Sequence, residues 1–298
     1  MTFAISGTPG CQGESTIDYP KLTKNAISLP AIRACIFDMD GLLINSEDII
    51  TSSINQLLEK YGRPVLTRSI RVQLMGVPDS TNSDTFHNWA KLPISREQFA
   101  REATEQMRLG FPNCKPLPGA EKLLSNLSRA RSATSGERIE LALASSTSRH
   151  NYELKTSTPE TKRLLSFFRA DRQVLGDDPR VQRRKPAPDI YLVALESLNL
   201  EAADSDRKPI TPDECLVFED SLVGVEAGRR AGMKVIWVPH ADVAAEYEAR
   251  QSDVLAGLAE ITGVGNDCKV GEMDDGWVER IPSLEHFNYE KYSIELAL

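Results

Sequence analysis

The sequence predicts an α/β fold: an open, Rossmann-like parallel sheet with a small helical insertion. Two observations carry this. The runs Ala34-Cys35-Ile36-Phe37, Ile139-Glu140-Leu141-Ala142-Leu143-Ala144 and Cys215-Leu216-Val217-Phe218 have the length and apolar character of buried strands, and each stops at polar residues. Between the first and second runs, residues Glu47 to Pro116 show helical spacing and no alternating strand.

The first strand ends at Asp38-Met39-Asp40-Gly41. Two carboxylates one residue apart at the edge of an apolar core are costly to place there, and folding alone supplies no reason for them. The side chain of Asp38 points over the carboxyl edge of the sheet, and the following turn lets Asp40 face the same crevice. With a divalent cation between them, one carboxylate can act as ligand and nucleophile while the other exchanges a proton with a leaving oxygen. Taken alone, Asp-x-Asp-Gly also serves as an ordinary turn.

In the insertion, Ile49, Ile50, Ile54, Leu57, Leu58 and Tyr61 recur at helical spacing, and Phe99, Ala103, Met107 and Leu109 mark another helix after Ser95. Such a unit is expected to close over the crevice, exclude water and select the alcohol part of a substrate, with hinges near Leu43–Glu47 and Lys115–Gly119. The organisation predicted is an arm over 1–30, an α/β core over 31–46 and 117–298, and a helical cap over 47–116.

Beyond the cap, Ala120–Ala130 has helical character, Arg131–Arg138 reads as a loop, and the second strand follows. It stops at Ser145-Ser146-Thr147-Ser148, hydroxyls and amide donors suited to a phosphate oxygen and equally suited to capping a helix. Asn151–Phe168 is helical or irregular, and Val174–Leu175 a short strand. Arg149 and Lys155, following the serine cluster, are candidates to meet a phosphate or a polar base, against the ordinary alternative of solvated charge. In Arg183-Arg184-Lys185-Pro186-Ala187-Pro188-Asp189-Ile190-Tyr191 the prolines stiffen the segment after a lysine that can neutralise a phosphoryl group. Helix 189–200 leads to a turn-rich loop over 201–212, where Asp204-Ser205-Asp206 lacks the glycine and terminal glutamate of a calcium loop.

The third core strand ends in Glu219-Asp220-Ser221, and a helix follows in which Gly224, Gly228 and Gly232 recur every fourth residue. Close packing of that helix on the sheet, with Gly232 ending it, explains the spacing. Lys234–Val238 supplies a further strand, stopped by Pro239. Residues 259–280, glycine-rich and acidic, read as an added loop. His240 and His286 are expected at the surface and not as ligands.

Composition bounds the function. The 298 residues carry a formal charge of −8, so no global basic field attracts nucleic acid or an anionic membrane, and neither is an expected partner. No apolar run approaches the roughly 20 residues of a membrane-spanning helix. The first residues show neither a basic leader nor a long apolar stretch, and Cys11, Cys35, Cys114, Cys215 and Cys268 form no paired spacing. A cytoplasmic protein with reduced thiols and no zinc site is the expectation.

Phosphoryl transfer needs a nucleophile, a proton donor, a cation and fixed groups for the equatorial oxygens. Every supplier in this sequence is expected just past a predicted strand, the edge where open α/β sheets bind ligands. In their order, Asp38-x-Asp40-Gly-Leu-Leu, Ser145, Lys185-Pro-Ala-Pro-Asp and Glu219-Asp220 resemble the four motifs of the haloacid dehalogenase-like superfamily of aspartate-nucleophile phosphohydrolases. The similarity runs from about Ile32 to about Pro239. Within the superfamily the sequence most resembles the eukaryotic pseudouridine-5′-phosphatase-like branch, on stretches such as Leu117-Pro-Gly-Ala-Glu-Lys-Leu-Leu and Val174-Leu-Gly-Asp-Asp-Pro-Arg-Val-Gln.

The resemblance implies that Asp38 attacks phosphorus, that Asp40 protonates the departing alkoxide and then activates water, and that Ser145 and Lys185 hold phosphoryl oxygens, with Ser146 beside them. It implies Mg²⁺ bound by the Asp38 carboxylate, the Asp40 main-chain carbonyl and Asp220, with Glu219 supporting. Two departures stand out. Asn45-Ser46-Glu47 replaces a usual Asp-Thr-Glu or Asp-Ser-Glu, and an Asn still suits a helix start there. Ile50 stands near the position of a histidine in the mutase relatives, which argues against a sugar-phosphate mutase. Asp40 itself favours phosphate ester hydrolysis over carbon–halogen cleavage, since halide leaves without a proton. The expected substrate is a small phosphorylated metabolite, first pseudouridine 5′-phosphate or another nucleotide-like monophosphate. A sugar- or polyol-phosphate phosphatase is the alternative, and an inactive phosphate-sensing module the alternative from a different class.

Overall fold

The structure is a computed structural model that describes residues 31–76, 81, 83–200, 207–257 and 275–297. The expected arm over 1–30, the Asp204-Ser205-Asp206 loop, Cys11, Cys268 and residues 259–274 of the expected added loop lie outside the described residues.

Six parallel strands form the main sheet: β1 (Ala34–Phe37), β3 (Glu140–Ser145), β4 (Gln173–Leu175), β5 (Cys215–Glu219), β6 (Lys234–Trp237) and β7 (Val278–Arg280), in the order β4-β3-β1-β5-β6-β7. Their parallel pairing needs crossover helices, and these cover both faces. Helices α5 (Ala120–Leu127) and α7 (Pro159–Leu165) pack with the segment 281–294 on one face, while α8 (Asp189–Asn199), α9 (Leu222–Arg230), α10 (Ala241–Glu246) and α11 (Gln251–Leu255) cover the other. Alternation within the strands divides the core between them. Cys35, Phe37, Leu216 and Phe218 point to the first face, whereas Ala34, Ile36, Cys215 and Val217 point to the second. Phe37 and Phe218 stack with ring centroids 4.4 Å apart, tying the two central strands together on one side.

Between β1 and β3 lie α1 (Ser46–Lys60), α2 (Arg68–Leu74), α3 (Asp84–Ala90) and α4 (Arg96–Gly110). They bury a hydrophobic cluster of their own, with Ile54, Leu57, Leu58, Phe86 and Phe99 at its centre. The two chain segments joining these helices to the sheet bond to each other: Asn45 N–H to the Lys115 carbonyl at 3.1 Å and Leu117 N–H to the Leu43 carbonyl at 2.9 Å. Asn45 does not cap α1 with its side chain; its Oδ1 instead accepts the Lys115 N–H at 2.7 Å, cross-tying the two segments.

Three differences from expectation concern short elements. Residues 278–280, expected within a loop, form the edge strand β7. Arg131–Ser132, also expected in a loop, is β2, which pairs antiparallel with β8 (Ile294–Glu295). Asn151–Phe168 is resolved into α6 (Arg149–Lys155) and α7, separated at Thr158, whose hydroxyl caps the second helix ahead of Pro159. No described helix is long and apolar enough to cross a membrane.

Candidate active site

Register places the chemistry. Phe37 is paired with Leu143 on one side and Phe218 on the other, so the residues that follow β1, β3 and β5 emerge at one edge of the sheet. This is the crevice at the reversal of strand order where open α/β sheets bind ligands. There the structure brings together Asp38, Asp40, Ser145, Ser146, Lys185 and Asp220.

Lys185 is buried, and its ammonium lies 2.6 Å from Asp38 Oδ1, 2.6 Å from Glu219 Oε1 and 3.2 Å from the Ala144 carbonyl. One cation thus joins the ends of three neighbouring strands. Burial lifts the Asp38 carboxyl to about 7, since the pull of Lys185 is opposed by Glu219 and Asp40. Glu219 stays below the ordinary carboxylate range although burial acts to raise it, because Lys185 and a set of donors stabilise its charge. Those donors are the Tyr191 hydroxyl at 2.7 Å on Oε1, and on Oε2 the amides of Asp220 and Ser221, each at 3.0 Å, and the Ser221 hydroxyl at 3.1 Å. Tyr191 was not singled out by the sequence; its signal is a lone phenol on an otherwise apolar helix face.

Asp40, in the turn after β1, accepts from Ser46 Oγ at 2.5 Å and from Lys155 Nζ at 2.6 Å on Oδ1, and from Ser145 Oγ at 3.3 Å on Oδ2. Ser145 is the last residue of β3 and fully buried; Ser146, Thr147 and Ser148 line the cavity beyond it. Of the two cations flagged after the serine cluster, Arg149 is exposed and rests on the Tyr152 ring, whereas Lys155 is buried against Asp40. Sequence spacing does not separate them, because the distinction depends on which face of α6 meets the crevice.

Asp220 directly precedes Ser221, whose hydroxyl caps α9, and its carboxylate is buried. Burial pushes that carboxyl well up, and Glu219, Asp38 and Glu47 add to the push. Gly41 makes room for it: a Cβ there would come within 2.2 Å of Asp220 Oδ2, and the φ of +75° suits glycine. Asp38, Glu219 and Asp220 each bring a carboxylate oxygen within 4.8 Å of the others, the one described cluster of that kind. An excess of buried negative charge with oxygen-only donors fits a hard divalent cation. Since the oxygens of Glu219 are occupied by five hydrogen bonds, Asp38 and Asp220 are the side chains left to bind it.

Above this edge is a cavity of about 430 Å³ between the sheet and the helices of the insertion. Its floor holds Asp38, Asp40, Lys185 and Asp220, and its roof comes from α1, α2 and α4, including Glu47, Thr51, Arg71 and Met107. Glu47 was not assigned a role from sequence. It is buried at the start of α1, and burial together with the nearby Asp40 charge raises its carboxyl to about 7.

A sequence model of the family described as "Haloacid dehalogenase-like hydrolase" matches residues 35–238. The chain belongs to this family. It is 37% identical to a Saccharomyces cerevisiae protein named "Probable pseudouridine-5′-phosphatase" over 233 residues, 78% of this chain and 92% of that one. An uncharacterized Schizosaccharomyces pombe protein is 35% identical over 87% of this chain and 93% of its own length. Among solved structures, a haloacid dehalogenase-type hydrolase from Entamoeba histolytica superposes with a TM-score of 0.57 at 20% identity, over 88% of this chain and 98% of that one, and so shares the fold. Family membership together with relatives named as phosphatases makes the protein a hydrolase of phosphoric monoesters. Ile50 packs against the apolar cluster of the insertion and lines the cavity without a group that can take a proton.

Proposed function

We propose that this hydrolase removes the phosphoryl group from pseudouridine 5′-phosphate or another nucleotide-like monophosphate through an aspartyl-phosphate. The observation that carries the substrate class is the similarity to the yeast relative, which spans 78% of this chain. In the first step an Asp38 oxygen bonds to phosphorus as the ester P–O bond breaks, and Asp40 gives its proton to the departing alkoxide. In the second, Asp40 takes a proton from water, the water oxygen bonds to phosphorus, and Asp38 is released with inorganic phosphate. Lys185, fixed by Asp38 and Glu219, supplies positive charge at the nucleophile, and Ser145 and Ser146 stand beside the phosphoryl position. Mg²⁺ held by Asp38, the Asp40 carbonyl and Asp220 supplies charge neutralisation for the phosphoryl oxygens when bound.

Residues 47–116 serve in this reading as a cap over a core formed by 31–46 and 117–298, with 1–30 as an arm. The cavity lined from both sides supports it, because a small substrate seated there meets groups of both units.

A screen of phosphorylated metabolites, with Asp38→Asn as the blank, tests the substrate. Pseudouridine 5′-phosphate or a related nucleotide is expected to give the highest kcat/KM, and a preference for hexose or glycerol phosphates overturns the assignment. Hydrolysis of p-nitrophenyl phosphate is expected to stop in EDTA and return with magnesium. Acyl-linked label at Asp38 after brief exposure to radiolabelled substrate is the expected sign of the covalent step; its absence, with turnover intact in Asp38→Gly, removes the mechanism.

A further inference from the structure

We propose that Lys155 is a positioning residue for Asp40, fixing its carboxylate so that one oxygen is presented to the leaving group. The inference rests on the reading of Asp40 as the group that exchanges a proton with the leaving oxygen.

Lys155 ends α6 and is 4% exposed. A buried ammonium is retained only where its donors are satisfied. Here Nζ bonds Asp40 Oδ1 at 2.6 Å and Thr147 Oγ1 at 3.1 Å, and lies over the face of Phe111, 4.6 Å from its centroid. Thr147 belongs to the loop after β3, and Phe111 to the short turn that follows α4. The lysine is therefore held by two segments besides its own helix, and its head has little freedom.

Asp40 needs such a restraint. It lies in a turn, its side chain is 18% exposed, and two torsions set where its oxygens point. Ser46 and Lys155 both occupy Oδ1, at 2.5 and 2.6 Å. Oδ2 takes the longer 3.3 Å bond from Ser145, which leaves it the oxygen better able to exchange a proton with a reacting group. Each aspartate of the pair thus has its own buried lysine: Lys185 for Asp38, Lys155 for Asp40. The two are not interchangeable, since Lys155 is bonded to the carboxylate that moves a proton and Lys185 to the one that attacks phosphorus.

A positioned acid contributes about 10²–10⁴-fold, and a displacement of about 1 Å loses about 10²-fold. The loss grows with the basicity of the departing oxygen, because a good leaving group departs without a proton. A structural lysine, or one that binds only the phosphoryl group, lacks that dependence.

The test compares kcat/KM for p-nitrophenyl phosphate and phenyl phosphate in the wild type, Lys155→Met and Asp40→Asn, with magnesium present. In Lys155→Met the phenyl ester is expected to lose about 100-fold and the nitrophenyl ester less than about 5-fold. Asp40→Asn is expected to show the same pattern more strongly. Equal losses on both esters in Lys155→Met, or none, overturn the assignment of Lys155 while the Asp40 pattern keeps the acid–base reading intact. Losses in Asp40→Asn that do not depend on the leaving group overturn that reading itself. If Lys155→Met does not fold, Thr147→Val decides the matter: removing one anchor of the ammonium is expected to cost the phenyl ester about 5-fold more than the nitrophenyl ester, and equal effects overturn the proposal.

Discussion

At the scale of single residues, the site is governed by how few cations balance many buried acids. Lys185 alone bridges Asp38 and Glu219, both buried, so removing its charge leaves two carboxylates without their shared partner. Lys185→Met is expected to destabilise the protein by about 3 kcal/mol in denaturant unfolding, and to abolish hydrolysis of p-nitrophenyl phosphate. Glu47 offers a pH-dependent counterpart. Its folded value of about 7 lies above the ordinary 4.5, so between those values the folded protein holds a proton that the unfolded chain has released. The stability this supplies is complete below pH 4.5 and is lost as the pH rises through 7. Glu47→Gln has no such proton to lose. In EDTA, the wild type is therefore expected to decline relative to Glu47→Gln by about 3 kcal/mol between pH 4.5 and pH 8; parallel unfolding profiles for the two proteins contradict the assignment.

At the scale of elements, close approach of helix to strand shapes the site, and Gly224 shows it most sharply. A Cβ at this position of α9 would lie 1.7 Å from Glu219 Oε1, the oxygen that Lys185 and Tyr191 share. Gly224→Ala is expected to cost about 2–3 kcal/mol and to reduce turnover about 100-fold by displacing the carboxylate that fixes Lys185. Gly62→Ala is the contrast: with φ +63° and nothing within 4 Å of a Cβ, it is expected to cost about 1 kcal/mol of backbone strain and no activity. The four-residue glycine spacing of this helix was legible in sequence as close packing, and Gly228 against Val235 agrees with it. Strands β1, β3, β5 and β6 were equally legible, because burial on both faces makes them nearly continuous apolar runs. Strand β7 was not, since its central residue Glu279 and its last, Arg280, are only partly buried, and an edge strand of three residues leaves too short a pattern. At the site itself, Asp38, Asp40 and Asp220 come just after apolar runs and Lys185 just before a proline, and so announce themselves. Tyr191, Glu47 and the choice of Lys155 over Arg149 depend on helix orientation, which sequence spacing leaves open.

At the scale of the whole molecule, a polar contact at the roof of the cavity joins the helical insertion to the sheet-bound part of the chain. Arg71 of α2 bonds Asp242 of α10 at 2.5 Å, Asp48 of α1 at 2.6 Å and Thr51 at 2.9 Å, while Arg68 lies 3.6 Å from Asp242. His240, half-buried and not simply a surface residue, adds a contact to Asp48 at 3.4 Å. These groups join the helical insertion to the sheet-bound helices, and the chain passes between the two through the segments tied by Asn45 and Lys115. A partly exposed ion pair of this kind is worth about 1 kcal/mol, which corresponds to about a fivefold shift in the population in which the insertion stays joined to the sheet-bound helices. Asp242→Asn is thus expected to raise KM for p-nitrophenyl phosphate about 5-fold, with kcat within about twofold of the wild type because Asp38, Asp40 and Lys185 are untouched. Salt should reproduce the effect in the wild type and add little in the variant, since screening weakens an interaction the variant has already lost. A change in kcat with KM constant would instead place the Arg71–Asp242 contact on the path of product release.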